Sequence, residues 1–335
     1  MAYILRIDQL RPGDIILERD YTEQSRNICR KMKSEYSHAL LYRGNCSVVE
    51  ADGIVVKITN PQRLLFDNIN DVVVLRCPTI SEQQALMICN YATNQFGKEY
   101  STNRYEKLST GEYKQVYQNR QYCTKLVAKS YEAAGIKIVK NSDLCNPQQI
   151  LNSELLVRIP DIIKEPTDEE LEIVVSDSIL DRHGFEWGVV LENIRNLECV
   201  RKHVDCDIQD RDQLFAFVER HPEVDDEVSS LLSNSAYFSM WKEYHDSNPW
   251  EYDSNLLLEK YGEDAFPVAW CIYITNSSVL VSWKHDLYEF LVKKASTKLR
   301  VYSVFVDLYV NLVIDSELRD NASKNVMDQI LFGME

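Results

Sequence analysis

The sequence predicts an α+β fold, with an antiparallel sheet packed on helices in the first half and a mainly α-helical second half. Three observations carry that prediction. Residues 36–58 alternate apolar and polar side chains, are rich in β-branched residues, and carry turn signals at Gly44-Asn45 and Asp52-Gly53. That is the pattern of short antiparallel strands joined by tight turns. Residues 123–134 place Cys123, Leu126, Val127, Tyr131 and Ala134 on one side of a 3.6-residue period, and Gly135 ends the run, as in an amphipathic helix. Beyond residue 160, apolar residues recur three and four positions apart in one segment after another.

The elements follow in order. In LRPGDIILERD, Pro12-Gly13 forms a turn before an apolar strand, Ile15 to Leu17. SRNICRKMKS reads as a short basic helix, and three short strands fill residues 36–58, with His38 opening the first and Glu50 late in the second. In the second half, 184–203, 211–220, 227–245, 283–295 and 300–318 read as helices of a packed bundle. The last of these is the most apolar, but Asp307, Asn311 and its short span argue against a membrane helix. FPVAWCIYITN at 266–276 fits a strand or a buried helix.

Cys123 sits in the first turn of its helix, where backbone N–H groups lack intrahelical partners and the dipole favours negative charge. A thiol there ionises more readily and becomes a nucleophile; the alternative is a Cys that fills space. A Cys nucleophile needs a His to hold its proton, and that His needs an acceptor to fix its tautomer. His38 and Glu50 supply these types. Strand parity constrains the set. A two-residue loop at Gly44-Asn45 pairs residues whose numbers sum to about 89 and puts Glu50 on the wrong face. An odd loop or a bulge shifts the sum to about 90, and Glu50 and Asp52 then join the face of His38. Asp52 is the substitute orienter.

Six motifs now stand in order: LRPGDIIL, the Ser37-His38 step in YSHALLY, VVEADG, FGKEY at 96–100, YCTKLV at 122–127, and NPQQILNSELL at 146–156. Together they resemble the circularly permuted branch of the NlpC-type papain-like cysteine hydrolases, the YiiX-like group, over residues 1–160. In that branch the His strand precedes the Cys helix, as His38 precedes Cys123. The resemblance implies a permuted papain-like fold, Cys123 as nucleophile, His38 as general base and Glu50 as its orienting residue. Thr124 stands where the family usually has Ser, which keeps a hydroxyl. Tyr122, Tyr100, Ser37 and Asp14 are the candidates for lining the cleft or donating to an oxyanion, with aromatic filler as the other reading of the tyrosines. The implied chemistry is cleavage of an amide bond, in a peptide or an acyl-amide, through an acyl-enzyme. A lipid or thioester acyltransferase or deacylase, like the lecithin–retinol acyltransferase relatives, is the alternative, and a catalytically silent binding module is the other.

Charge divides the chain. Residues 1–160 hold 21 Lys+Arg against 17 Asp+Glu, whereas residues 161–335 hold 16 against 35. With Pro160 and Pro166 and the acidic run at 168–172, this places a domain boundary near residue 160, giving a hydrolase domain at 1–160 and an acidic helical domain at 161–335. An acidic half argues against nucleic-acid binding and offers a surface for a protein partner. Nine Cys without framework spacing, and no basic-then-apolar leader, point to reduced thiols and the cytoplasm. Expected partners are a small peptide or acylated substrate, with no integral membrane segment. No cofactor is expected, since no glycine-rich phosphate loop or dinucleotide fingerprint occurs. Cys199, His203 and Cys206 fall on one face of a predicted helix and offer three zinc ligands, but without an evident fourth or a finger-like spacing no metal site is expected. His183, His221, His245 and His285 stand alone in the sequence.

Overall fold

A computed structural model describes residues 2–101, 120–176 and 179–333. The chain divides into two compact units, Met1–Leu191 and Glu192–Glu335.

The first unit is built on a six-stranded antiparallel sheet. Its strands are β2 (Ile15–Glu18), β3 (His38–Gly44), β4 (Ser47–Ala51), β5 (Val56–Thr59), β6 (Val72–Arg76) and β7 (Val157–Arg158), in the order β5-β4-β3-β2-β6-β7. A separate two-stranded sheet pairs β1 (Ile4–Leu5) with β8 (Ile163–Lys164). Among the described residues, the α-helices of this unit are α1 (Glu23–Met32), α2 (Glu82–Thr93), α3 (Cys123–Ala133), α4 (Pro147–Leu151), α5 (Asp168–Val175) and the start of α6 (Ile179–Asn196).

Alternation decides what each face of the sheet buries. Ile15, Leu17, Ala39, Leu41, Val49 and Ala51 point to one face and pack with Ile88 and Ala92 of α2 and Leu126, Val127 and Tyr131 of α3. Their neighbours Ile16, Leu40, Tyr42, Val48 and Val74 point to the other, against Leu5, Phe66 and Ile162. Truncating one of these fully buried leucines to Ala costs about 2–5 kcal/mol. The Tyr131 hydroxyl pins α3 to the start of β2 by donating to the Gly13 carbonyl at 2.6 Å.

The first unit runs past the boundary that charge places near residue 160, because later residues pack on its sheet. A Cβ on Gly184 would lie 2.5 Å from Cβ of Lys57, and one on Gly188 would lie 2.4 Å from Cγ1 of Val55. Two glycines one helical turn apart therefore let α6 lie directly on the β5 segment. Along its outer edge, β5 is paired by residues 97–100: Val56 donates to the Lys98 carbonyl at 2.8 Å, and Gly97 donates to Val56 at 2.9 Å.

The second unit is helical: α7 (Glu198–Arg201), α8 (Arg211–Arg220), α9 (Asp225–Ser233), α10 (Met240–Ser247), α11 (Ser254–Tyr261), α12 (Ala265–Thr297) and α13 (Arg300–Phe332). The two last helices are 33 residues each and turn back on one another at Lys298-Leu299. Residues 266–276, ambiguous between strand and helix, lie inside α12. The buried Asn276 donates to Asp320 Oδ1 at 2.6 Å and to the Ser316 carbonyl at 2.7 Å. The most membrane-like stretch is Ser254–Thr297 rather than α13; by length and composition alone it suffices to cross a bilayer, a test the core helix of a helical bundle also passes.

Candidate active site

The β3–β4 hairpin positions the imidazole and its acid. Its two-residue loop is Asn45-Cys46, not Gly44-Asn45: both have left-handed φ, 49° and 48°, as a tight hairpin turn requires. Gly44 faces Ser47, and a register shift between Gly44 and Tyr42 then sets Tyr42 opposite Val48, Leu41 opposite Val49 and Leu40 opposite Glu50. That irregularity turns Glu50 to the face of His38. His38 Nε2 lies 2.8 Å from Glu50 Oε2. Glu50 is held in turn, since the Thr59 hydroxyl donates to Oε1 at 2.8 Å and Lys57 Nζ stands 4.0 Å away. Asp52, the other carboxylate in reach by parity, is paired with Lys57 at 2.7 Å.

Cys123 is the first residue of α3, and its N-cap, Tyr122, is extended at φ −141° with no side-chain cap. The Cys123 side chain hydrogen-bonds His38. With Nε2 committed to Glu50, that contact falls to Nδ1. Burial works against a charge on His38, but the hydrogen bonds to Cys123 and Glu50 overcome it and hold the imidazole well above its usual pKa. Burial likewise pushes Glu50 upward, and the His38 hydrogen bond and charge, with Lys57 and Thr59, bring it below the usual carboxylate range. The pair favours an imidazolium beside an ionised carboxylate. Such a cation next to a thiol at a helix N-terminus is the condition under which cysteine acts as a nucleophile.

The remaining candidates are placed differently. Tyr122 donates its hydroxyl to the Asp143 carbonyl at 2.5 Å and accepts from the Cys145 N–H at 3.3 Å. Thr124 donates to the Cys145 carbonyl at 2.8 Å. These bonds tie the loop before α4 to the start of the Cys helix, so the Tyr122 phenol is engaged in that clamp rather than at an oxyanion. Tyr100 is partly buried and packs against the core to which α3 contributes. Ser37 is buried, with its hydroxyl 2.7 Å from that of Ser25 on α1. Asp14 is not brought to His38: it precedes β2, at the opposite end from the strand position facing His38. Its carboxylate is bound by Arg76 at 2.7 and 2.5 Å and by the Arg11 N–H at 2.8 Å.

Two residues join the site that sequence reasoning missed. Thr59 is one. Glu18 is the other, directly opposite His38 in the β2–β3 register. Burial pushes the Glu18 carboxyl up to about 7, against the pull of His38 and helped by repulsion from Glu50 and Asp20. A charged residue closing the apolar run IIL was the available signal.

Among the described residues, the metal-ligating groups that converge are His203, Asp205 and His221. Cys199 and Cys206 are not among them. The expected helix stops at Arg201, so His203 no longer continues its face, and the Cys199 thiol is drawn to Glu227.

The family model of the permuted papain-like amidase enzymes, YaeF/YiiX, C92 family, matches residues 9–186, just over half of the chain. No curated protein matches the chain. The order His strand before Cys helix, on an antiparallel sheet that α3 packs against, accords with that match: the chain belongs to the permuted papain-like amidase family YaeF/YiiX, C92.

Proposed function

We propose that the protein is a cysteine amidase acting through Cys123, His38 and Glu50. The observation that carries this reading is the chain of contacts from the Cys123 thiol to His38 to Glu50, with 2.8 Å between the last two. The Cys123 thiolate attacks the carbonyl carbon of an acyl-amide or peptide, and the new oxyanion is met by the N–H groups at the start of α3. The C–N bond breaks as the His38 imidazolium gives its proton to the departing amine. Water then loses a proton to His38 and attacks the thioester; the C–S bond breaks, releasing the acid and restoring the thiolate–imidazolium pair. Glu50 fixes the ring so that Nδ1 serves the sulfur in both steps. The test is turnover of a panel of N-acyl amides and short peptides, with Cys123→Ala as control and acyl-enzyme mass shifts read on the intact protein. A covalent adduct on Cys123 that water releases supports the reading; turnover that survives Cys123→Ala sinks it.

Lipid or thioester acyl groups are the second substrate class, favoured by the apolar stretch Ser254–Thr297. Co-sedimentation with lipid vesicles separates the two. The cytoplasm remains the proposed compartment, and the acidic, helical second half the proposed platform for a protein partner.

A further inference from the structure

We propose that His203, Asp205 and His221, in the second unit, bind a divalent transition-metal ion of the zinc class, which staples the loop after α7 to the C-terminal end of α8. One ligating atom from each of the three side chains lies within 4.8 Å of the others. The residues come from two segments: His203 and Asp205 from the loop between α7 and α8, and His221 from the residue that follows α8. The rings of His203 and His221 are 3.8 Å apart, centroid to centroid. His221 Nε2 lies 3.1 Å from Asp205 Oδ1. A second carboxylate is at hand, with Glu223 Oε1 3.5 Å from His203 Nε2 and 3.8 Å from His221 Nδ1.

Two imidazoles and a carboxylate are a donor set suited to zinc and its neighbours, and four-coordination leaves one position for Glu223 or water. The site has an apolar wall. Phe217, fully buried, sets its ring 4.7 Å from that of His221 and 5.5 Å from that of His203. Low polarity on that side strengthens the attraction between a cation and its ligands. The rival for Asp205 is Arg220, 2.5 Å from Oδ2; its guanidinium is exposed and leaves Oδ1 to the site. The inference does not depend on the amidase reading, because no residue of the first unit enters it.

The test is cobalt(II) titration of the full-length chain carrying Cys123→Ala, which removes the thiol nearest to another imidazole and carboxylate. One equivalent should bind, giving visible d–d bands without the sulfur-to-cobalt charge-transfer band, and zinc should displace it and raise the melting temperature. His221→Ala and the nearly isosteric Asp205→Asn should each weaken binding by about 100-fold. Cys199→Ser with Cys206→Ser should leave affinity within about twofold. Absence of saturable binding to the Cys123→Ala chain overturns the proposal, whatever the other variants do. So does a sulfur band that the cysteine variants remove, or affinity that survives both His221→Ala and Asp205→Asn.

Discussion

Each unit of the molecule holds a histidine–carboxylate pair at the same distance, and only one of them has a nucleophile. His38 meets Glu50 at 2.8 Å, and His245 Nδ1 meets Asp315 at 2.8 Å. Asp315 is held among structural partners. Tyr252 donates to it at 2.8 Å and stacks on His245 at 3.9 Å, and Arg319 Nε stands 3.8 Å away. Arg319 reaches on to Glu251, which accepts from the Tyr244 hydroxyl at 2.7 Å. That network ties the α10–α11 region to α13. The His38 pair instead keeps one ring nitrogen for a thiol at a helix N-terminus. A short His–carboxylate contact therefore says little about function; what the second ring nitrogen meets says much more.

The largest effect that sharpens this contrast is Cys123→Ala, expected to lower amide turnover by at least about 10⁴-fold while the melting temperature stays near the parent's. The matching change in the second unit, His245→Ala, should leave kcat/KM within about twofold. Next, Glu50→Gln should cost about 100-fold or more in kcat/KM, because an amide no longer stabilises the imidazolium. It should also slow iodoacetamide labelling of Cys123 at pH 6, and labelling that stays equally fast would detach Glu50 from the site. Third, Asp315→Ala should cost about 3 kcal/mol in denaturant unfolding with Cys123 labelling unchanged.

A fourth effect is a pH dependence. Glu18 has a folded pKa of about 7 against an ordinary value of 4.5. The folded state thus holds a proton that the unfolded chain has lost, and stability falls as pH rises through that window. Glu18→Gln removes the loss, so its melting temperature relative to the parent should climb between pH 4 and pH 8. A constant difference across that range would mean that the carboxyl titrates normally.

Much of the first unit was legible because its signals are local. Alternation in YSHALLY and SVVEA, and the 3.6-residue period after Cys123, specify strand and helix without knowledge of the partners. Parity even identified what the hairpin must do for Glu50 to reach His38. It did not say where, since the left-handed φ of Cys46 is a property of the closed hairpin, not of a residue type that favours it. Glu18 was invisible because cross-strand register is set by distant pairing, and Asp14 misled because its motif position says nothing of Arg76. In the second unit, helical spacing reported the helices but not that His203 would meet His221. Seventeen residues of chain lie between them, and only the folded path of the loop and α8 joins their rings.

Gly184 and Gly188 also decide where this chain tolerates being cut. A chain ending near residue 160 keeps Cys123, His38 and Glu50 but loses the helix seated on Val55 and Lys57. Solvent would then reach the apolar side of a marginal strand, inviting self-association through that surface. Limited proteolysis that trims the protein to a persistent core should accordingly stop beyond α6, leaving a fragment that retains Trp187, rather than at the proline-marked segment around residue 160.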